Sequence, residues 1–307
     1  MKNKGLTLSI ICELESANYG EGGSNYSSLK KISRADGNIY TYISRQALRY
    51  SIVEQLMDEY GWNKTGVEPK GKGNKKVVQF APNSTIEKFE EIDLFGYMKT
   101  DAETSSDTRS AVVRLSNAIS LEPYSSNLDF LTNSGLAKRK NLDNSLVQVE
   151  IHKSLYAYTI TIDLDRVGID EIKSDKGSEM KIKTIEITPK EKAKRVKDLL
   201  NVIKLLYRNI RGRRETLIPV FIIGGVYNIK NPFFDNKLNL IKNTIDLDIN
   251  TIKNTLENID DEIKNNTIIG YLGSVFNNSE DIKKEFNPKT IKEVFDLLLK
   301  EVDKYYV

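Results

Sequence analysis

Leu6–Leu14, Val112–Ile119, Leu155–Leu164 and Leu217–Tyr227 are short apolar runs, partly alternating and rich in β-branched residues, and they read as buried strands. Two other segments repeat apolar residues every three or four positions. Ala47, Leu48, Ile52, Leu56 and Tyr60 form a stripe behind Ser44, a good N-cap, and Gly61 closes the helix. Val196, Leu199, Leu200, Ile203, Leu206, Tyr207 and Ile210 form a second stripe, which predicts a helix over Glu191–Arg211 stopped by Gly212. The order is strand, helix, strand, strand, helix, strand. That is the α+β, ferredoxin-like order shared by RNA-recognition folds.

Weaker signals fill the gaps. Ile39–Ile43, Val77–Phe80 and Met180–Ile187 suit short strands, Thr85–Ile92 a helix or turn, and Lys173–Gly177 a turn. The last third offers helices at Ile249–Ile259 and Lys289–Tyr305 around a strand at Thr267–Phe276. Asn18, Gly20, Gly22, Gly23, Asn25 and Gly37 make Ser16–Gly37 a loop. Two polar excursions leave the core. One is the Gly- and Lys-rich stretch Trp62–Asn83. The other separates the two central strands by about 35 residues, too long for a turn and too polar for a core; connections of that length are usually functional or disordered.

Composition narrows the chemistry. At 307 residues and 39% apolar, the chain suits one large domain with insertions or two modest ones. A net charge of +3 makes any basic function local. The richest stretch, Lys190–Arg214, carries ten Lys or Arg against Glu191 and Asp198. Its basic face reads as the solvated side of a helix whose apolar stripe covers the sheet, and its partner is left open. One cysteine, Cys12, rules out an internal disulfide framework and fits a reducing compartment. No secretory-type leader opens the sequence and no apolar run is long enough for a bilayer, so a cytoplasmic protein with no membrane partner is expected.

With His152 the only histidine and Cys12 the only cysteine, zinc sites and His-dependent triads are out by inventory. Neither a P-loop nor a dinucleotide fingerprint occurs, and Gly71–Gly73 (GKG) reads as an exposed loop. Asp163 and Asp165 are read as a solvated strand end beside Arg166 rather than as a divalent-ion site. No metal or cofactor is expected.

Basic features point elsewhere. A helix opening at Ser44 offers free N–H groups and a dipole to an anion, and Arg45, Gln46 and Arg49 add donors within its first turns. Lys30, Lys31 and Arg34 come from the preceding loop. This is either a phosphate-backbone site or a capped, solvated helix. In the long insertion Phe130 and Leu131 stand near Lys138, Arg139 and Lys140. Apolar wedges beside basic residues unstack bases while the backbone is held; the alternative is that Phe130 packs the projection onto its own domain.

The motifs YISRQALRYSI, DLFGYM, RSAVVRLSNAIS, the Asp-Phe-Leu-Thr-Asn run and HKSLYAYTITIDLDRVG occur in the order of the DevR-type branch of the Cas-seven family. The sequence resembles these guide-RNA-binding backbone subunits of type I (I-B) CRISPR surveillance complexes (Cascade) over most of residues 1–230. The resemblance implies an RNA-recognition-type palm (1–57, 93–123 and 154–230), a finger insertion (58–92), a thumb hairpin (124–153) and a C-terminal extension (231–307). It implies a non-catalytic subunit that polymerises with copies of itself in a helical filament along CRISPR guide RNA. The thumb kinks the RNA so that target DNA can pair with it. Further implied partners are the Cas-five, Cas-six, Cas-eight and small-subunit types. Ser44, Gln46 and Arg49 would contact the RNA backbone; Arg109, Ser110 and Arg114 would line the palm near the thumb base. Phe130 or Leu131 would be the wedge, and His152 would hold RNA at the thumb's return. The competing reading is a target-RNA endonuclease, since type III relatives cleave with an aspartate in the loop before the first helix, where Asp36 is the only aspartate.

Overall fold

The structure is a computed structural model and describes residues 4–20, 25–71, 76–99, 107–175 and 180–307. Gly22 and Gly23 of the first loop, Gly73 of GKG, and Lys176 and Gly177 of the expected turn lie outside the described residues. The chain opens with β1 (Gly5–Leu14), then β2 (Tyr26–Ser27), β3 (Lys31–Ser33) and β4 (Ile39–Ile43). Helix α1 (Arg45–Tyr60) follows, with Ser44 as N-cap and Gly61 as a left-handed C-cap at φ 67°. A first excursion is the hairpin β5 (Val67–Lys70) and β6 (Val77–Phe80). After it come α2 (Glu90–Phe95), the ladder β7 (Tyr97–Lys99) with β8 (Asp107–Arg109), and β9 (Val113–Leu115) and β10 (Ala118–Ser120). The second excursion is β11 (Asn127–Thr132), α3 (Ser134–Lys138) and β12 (Leu146–Ile151). β13 (Ser154–Asp163) returns to the core, and β14 (Ile169–Asp175) pairs with β15 (Met180–Glu186). Then come α4 (Pro189–Lys204), β16 (Tyr207–Ile210), β17 (Arg213–Thr216) and β18 (Pro219–Tyr227). The rest is α5 (Ile249–Glu257), α6 (Asp261–Asn265), β19 (Thr267–Tyr271), α7 (Ser279–Phe286) and α8 (Ile291–Tyr306).

The central sheet runs β19-β18-β1-β13-β10-β4-β3, with β9 also on β13. Its middle, β18-β1-β13-β9/β10, is antiparallel throughout and has the ferredoxin-like order expected from the sequence. Alternation along β1 splits the core. Leu6, Leu8, Ile10 and Cys12 join Tyr156, Tyr158, Ile160 and Ile162 under α1, α4 and α8. On the other face, Ile11, Leu155, Phe221 and Ile223 are covered by Phe234, Leu238, Leu247, Ile252 and Phe276 of the C-terminal extension. Burial pushes the Cys12 thiol up to about 12, so it serves as a small hydrophobe. Among the described residues no helix is long and apolar enough to cross a membrane.

Four local expectations are corrected. The helix predicted over Glu191–Arg211 ends at Lys204, and residues 207–216 form the β16–β17 hairpin. There Arg208 is buried while Asn209 is exposed, a strand alternation. Gly212 turns the hairpin at φ 79° instead of stopping a helix. The strand predicted over Val112–Ile119 is broken at Ser116–Asn117 into β9 and β10. Lys173–Asp175 are strand rather than turn. Asp163 is buried and held by Arg114 and Arg166, while Asp165 pairs with Lys230, so neither is a solvated carboxylate.

The DLFGYM motif has a structural explanation. Asp93 is 0% exposed and accepts from Arg109 Nη2 (2.6 Å), Arg195 Nη1 (2.9 Å) and the Gly168 N–H (2.9 Å). Gly96 has a positive φ of 73°, and a Cβ there would run into the backbone oxygen of Arg109.

Candidate nucleic-acid interface

The first turn of α1 is capped from three directions. Ser44 Oγ accepts from the Ala47 N–H (3.4 Å) and donates to Asn18 Oδ1 (2.8 Å). The Arg45 N–H donates to Asn117 Oδ1 (2.9 Å). Two terminal donors are therefore satisfied internally, and the positive potential of this end rests mainly on side chains. Asn18 and Asn117 carried no local signal of this role: they lie 26 and 72 positions from their partners.

Beside this turn a cleft of about 420 Å³ is lined by Arg45, Gln46 and Arg49 of α1, Phe95 of α2, and Ala111, Val113, Arg114 and Leu115 around β9. Arg45 and Gln46 are exposed, and Arg45 has no ion pair among the described residues. Arg49 lies over the Phe95 ring (5.0 Å) and reaches Glu91 at 3.3 Å. Arg114 holds Asp163 through two contacts, Nη1–Oδ1 at 3.0 Å and Nη2–Oδ2 at 3.1 Å, and remains half exposed. Arg166 also reaches Asp163 at 3.5 Å. Four arginines thus face two carboxylates, Glu91 and Asp163, leaving a local excess of positive charge. Ser110, next to Ala111, is exposed.

Other sequence candidates are placed differently. Arg109 is withdrawn from any surface. Its Nε bonds Asp93 O, its Nη1 bonds Ile169 O and Asp170 Oδ1, and its Nη2 bonds Asp93 Oδ1 and Arg166 O. All five donors of the guanidinium are spent inside the protein, so it is a structural residue. His152 is buried too, with Nδ1 2.8 Å from Thr41 Oγ1 and its ring edge-on to Tyr124. Burial holds its pKa below the usual histidine value, although Glu122 and a Pro123 backbone bond oppose this. It ties the return of the second excursion to β4 and is not exposed on the surface of the hairpin. Lys31 is paired with buried Glu150 at 2.6 Å and lies over Tyr124. Burial raises the Glu150 pKa, but bonds from Lys31, Tyr26 and the Leu29 N–H outweigh this and hold it below the usual range. Arg34 stacks over Tyr40 at 4.4 Å in the β3–β4 turn. Lys30, Lys31 and Arg34 do not line the α1 cleft.

The second excursion stands on a three-stranded sheet, β11-β12-β2, in which β12 pairs antiparallel with β11 and parallel with β2. Every residue of β11 is exposed. Phe130 (55%) and Leu131 (45%) are open to solvent, so Phe130 is not packed onto its own domain. Lys138, Arg139 and Lys140 are exposed and form no ion pair among the described residues. Asp36 accepts from the Asn38 N–H (3.0 Å) and Tyr40 OH (2.5 Å), which lowers its pKa and fixes the β3–β4 turn.

An RNA-recognition-type core carrying long hairpin insertions defines the class of fold. The chain belongs to the DevR/Csa2 family: the family model described as "CRISPR-associated negative auto-regulator DevR/Csa2" matches residues 6–247. Among solved structures it is similar to a chain of a "CRISPR RNA-guided surveillance complex, pre-nicking", with TM-score 0.59 and 12% identity, covering 97% of this chain and 100% of that one. A chain of a "CRISPR RNA-guided surveillance complex" gives TM-score 0.57 and 12% identity, covering 97% and 99%. No curated protein gives a significant match.

Proposed function

We propose that the chain is a non-catalytic backbone subunit of a CRISPR surveillance complex, which polymerises along guide RNA and grips it by its phosphates. The palm carries the α1 cleft, the β5–β6 region is the finger, and the β11–β12 hairpin is the thumb. The observation that carries this reading is the convergence of Arg45, Gln46, Arg49 and Arg114 on one cleft from α1 and β9. Such a surface holds a backbone without reading sequence, leaving bases free to pair with target DNA. Phe130 and Leu131 are exposed as a wedge must be, and Lys138, Arg139 and Lys140 stand on the same projection. Asp36, the residue an endonuclease would use, spends its carboxylate on Asn38 and Tyr40.

The test is co-expression with a guide RNA and with the companion subunits. Multimers that retain nuclease-resistant RNA of uniform length are the expected product. A bare monomer refutes the proposal. Spaced cuts in complementary RNA that vanish in Asp36→Ala would establish the enzyme instead.

A further inference from the structure

The basic stretch Lys190–Arg214 has no part in the α1 cleft, yet its second half runs along α1, from the helix's last turns toward the loop that holds its start. β16 and β17 run beside the helix, since the Tyr207 N–H donates to Gln55 Oε1 and Tyr207 OH donates to Glu59. At the other end of the hairpin Arg211 stacks over Tyr19 at 4.1 Å. Tyr19 follows Asn18, the residue that holds Ser44 at the helix start. At about 3.6 residues per turn, Gln55 lies on the opposite flank of α1 from Gln46. The hairpin and the arginine cleft therefore flank α1 on different sides, with only the Arg211 end of the hairpin near the helix start.

The hairpin is held stiffly. Arg208 pairs with Glu215 in its buried base (2.7 Å), and Glu215 Oε1 accepts the N–H groups of Glu15 (2.8 Å) and Ser16 (2.9 Å). Arg213 is neutralised by Glu15 at 2.9 Å. Arg211 and Arg214 differ: both are exposed, and neither has a carboxylate partner among the described residues. Each guanidinium instead lies against a ring, Arg211 on Tyr19 and Arg214 on Tyr207 (4.5 Å), and Asn209 Oδ1 accepts from Arg214 Nε at 3.0 Å. A guanidinium laid against a ring, with no ion pair among the described residues, keeps its planar fork available, an arrangement suited to bidentate binding of phosphate.

We infer that Arg211 and Arg214 form a second phosphate clamp for single-stranded RNA, holding the strand along the flank of α1 that the hairpin covers. The clamp rests on the RNA-holding reading above. It is tested with the full chain and a fluorescein-labelled polyuridine oligomer, measuring affinity by anisotropy against salt. Two lost phosphate contacts lower the slope of log affinity on log salt by about 1.4, at about 0.7 per contact. Arg211→Ala with Arg214→Ala should show that fall, so that a threefold rise in salt narrows its affinity gap from the wild type by about fivefold. Arg211→Lys with Arg214→Lys should keep the wild-type slope, and Lys300→Ala, an exposed charge on α8, should change nothing. An alanine variant with the wild-type slope and affinity overturns the clamp alone. So does a lysine variant whose slope falls as far as the alanine variant's, because a restored charge at these positions would then make no phosphate contact. A wild-type chain that ignores the RNA overturns the clamp and the reading beneath it together.

Discussion

Asp93→Asn separates scaffold from interface. Asp93 is fully buried between two guanidiniums that are themselves almost fully buried, Arg109 and Arg195. The amide keeps one acceptor but turns an N–H₂ toward a neighbouring N–H donor and removes the charge that offsets the pair. Asp170 and Glu191 remain, one on each arginine. Removing one partner from a buried ionic cluster costs about 3–5 kcal/mol. With an unfolding entropy of about 2.1 cal/mol/K per residue, the 307-residue chain should melt roughly 5–8 °C lower. Thermal denaturation followed by circular dichroism reads this directly, and polyuridine binding below the transition should match the wild type. An unchanged melting temperature together with lost RNA binding would show that the motif faces RNA, and the structural account of Arg109 would be wrong.

Further outcomes follow from the same geometry. Arg45→Ala with Gln46→Ala should weaken RNA binding alike for all sequences and shift the melting temperature little, since both side chains are exposed; loss confined to particular sequences would contradict a phosphate role. Phe130→Ala should leave stability within about 0.5 kcal/mol while costing about 1–3 kcal/mol of a stacked base in assembled RNA complexes; a large fall in melting temperature would place Phe130 in a core. His152 favours its neutral form when folded, so its contribution to stability is complete above its ordinary pKa of about 6.5 and is lost as pH falls through that value toward the lower folded one. His152→Gln should flatten that part of the stability–pH curve, and a curve that keeps its slope would refute the assignment. Glu150→Ala removes the acceptor shared by Lys31, Tyr26 and the Leu29 N–H, and should raise proteolysis at the root of the thumb hairpin without melting the central sheet.

Elements whose partners are local were legible in the sequence. Ser44 and Gly61 bound α1 because a cap acts within a few residues, and β1 and β13 show their burial in their own apolar content. The apolar stripe over Glu191–Arg211 runs past the end of the helix for a definite reason. Tyr207 and Ile210 extend the apolar stripe in phase, but Tyr207 and Gln55 bond as strand against helix, a contact across 152 positions. Arg109 and His152 resemble interface residues by type and motif. What buries them is a set of carbonyls, carboxylates and hydroxyls that only the fold collects. The cleft was half legible: Arg45, Gln46 and Arg49 share one helix turn, whereas Arg114 joins them only because β9 packs beside α1.

The central claim is that the opening of α1 holds the phosphate backbone of a guide RNA. Ultraviolet cross-linking of the chain assembled with a guide RNA, followed by mass spectrometry of the RNA-bearing peptides, tests it most directly. The account predicts adducts on peptides spanning Ser44–Arg49 and around Arg114. Adducts absent there, or confined to the C-terminal extension beyond Tyr227, would contradict it.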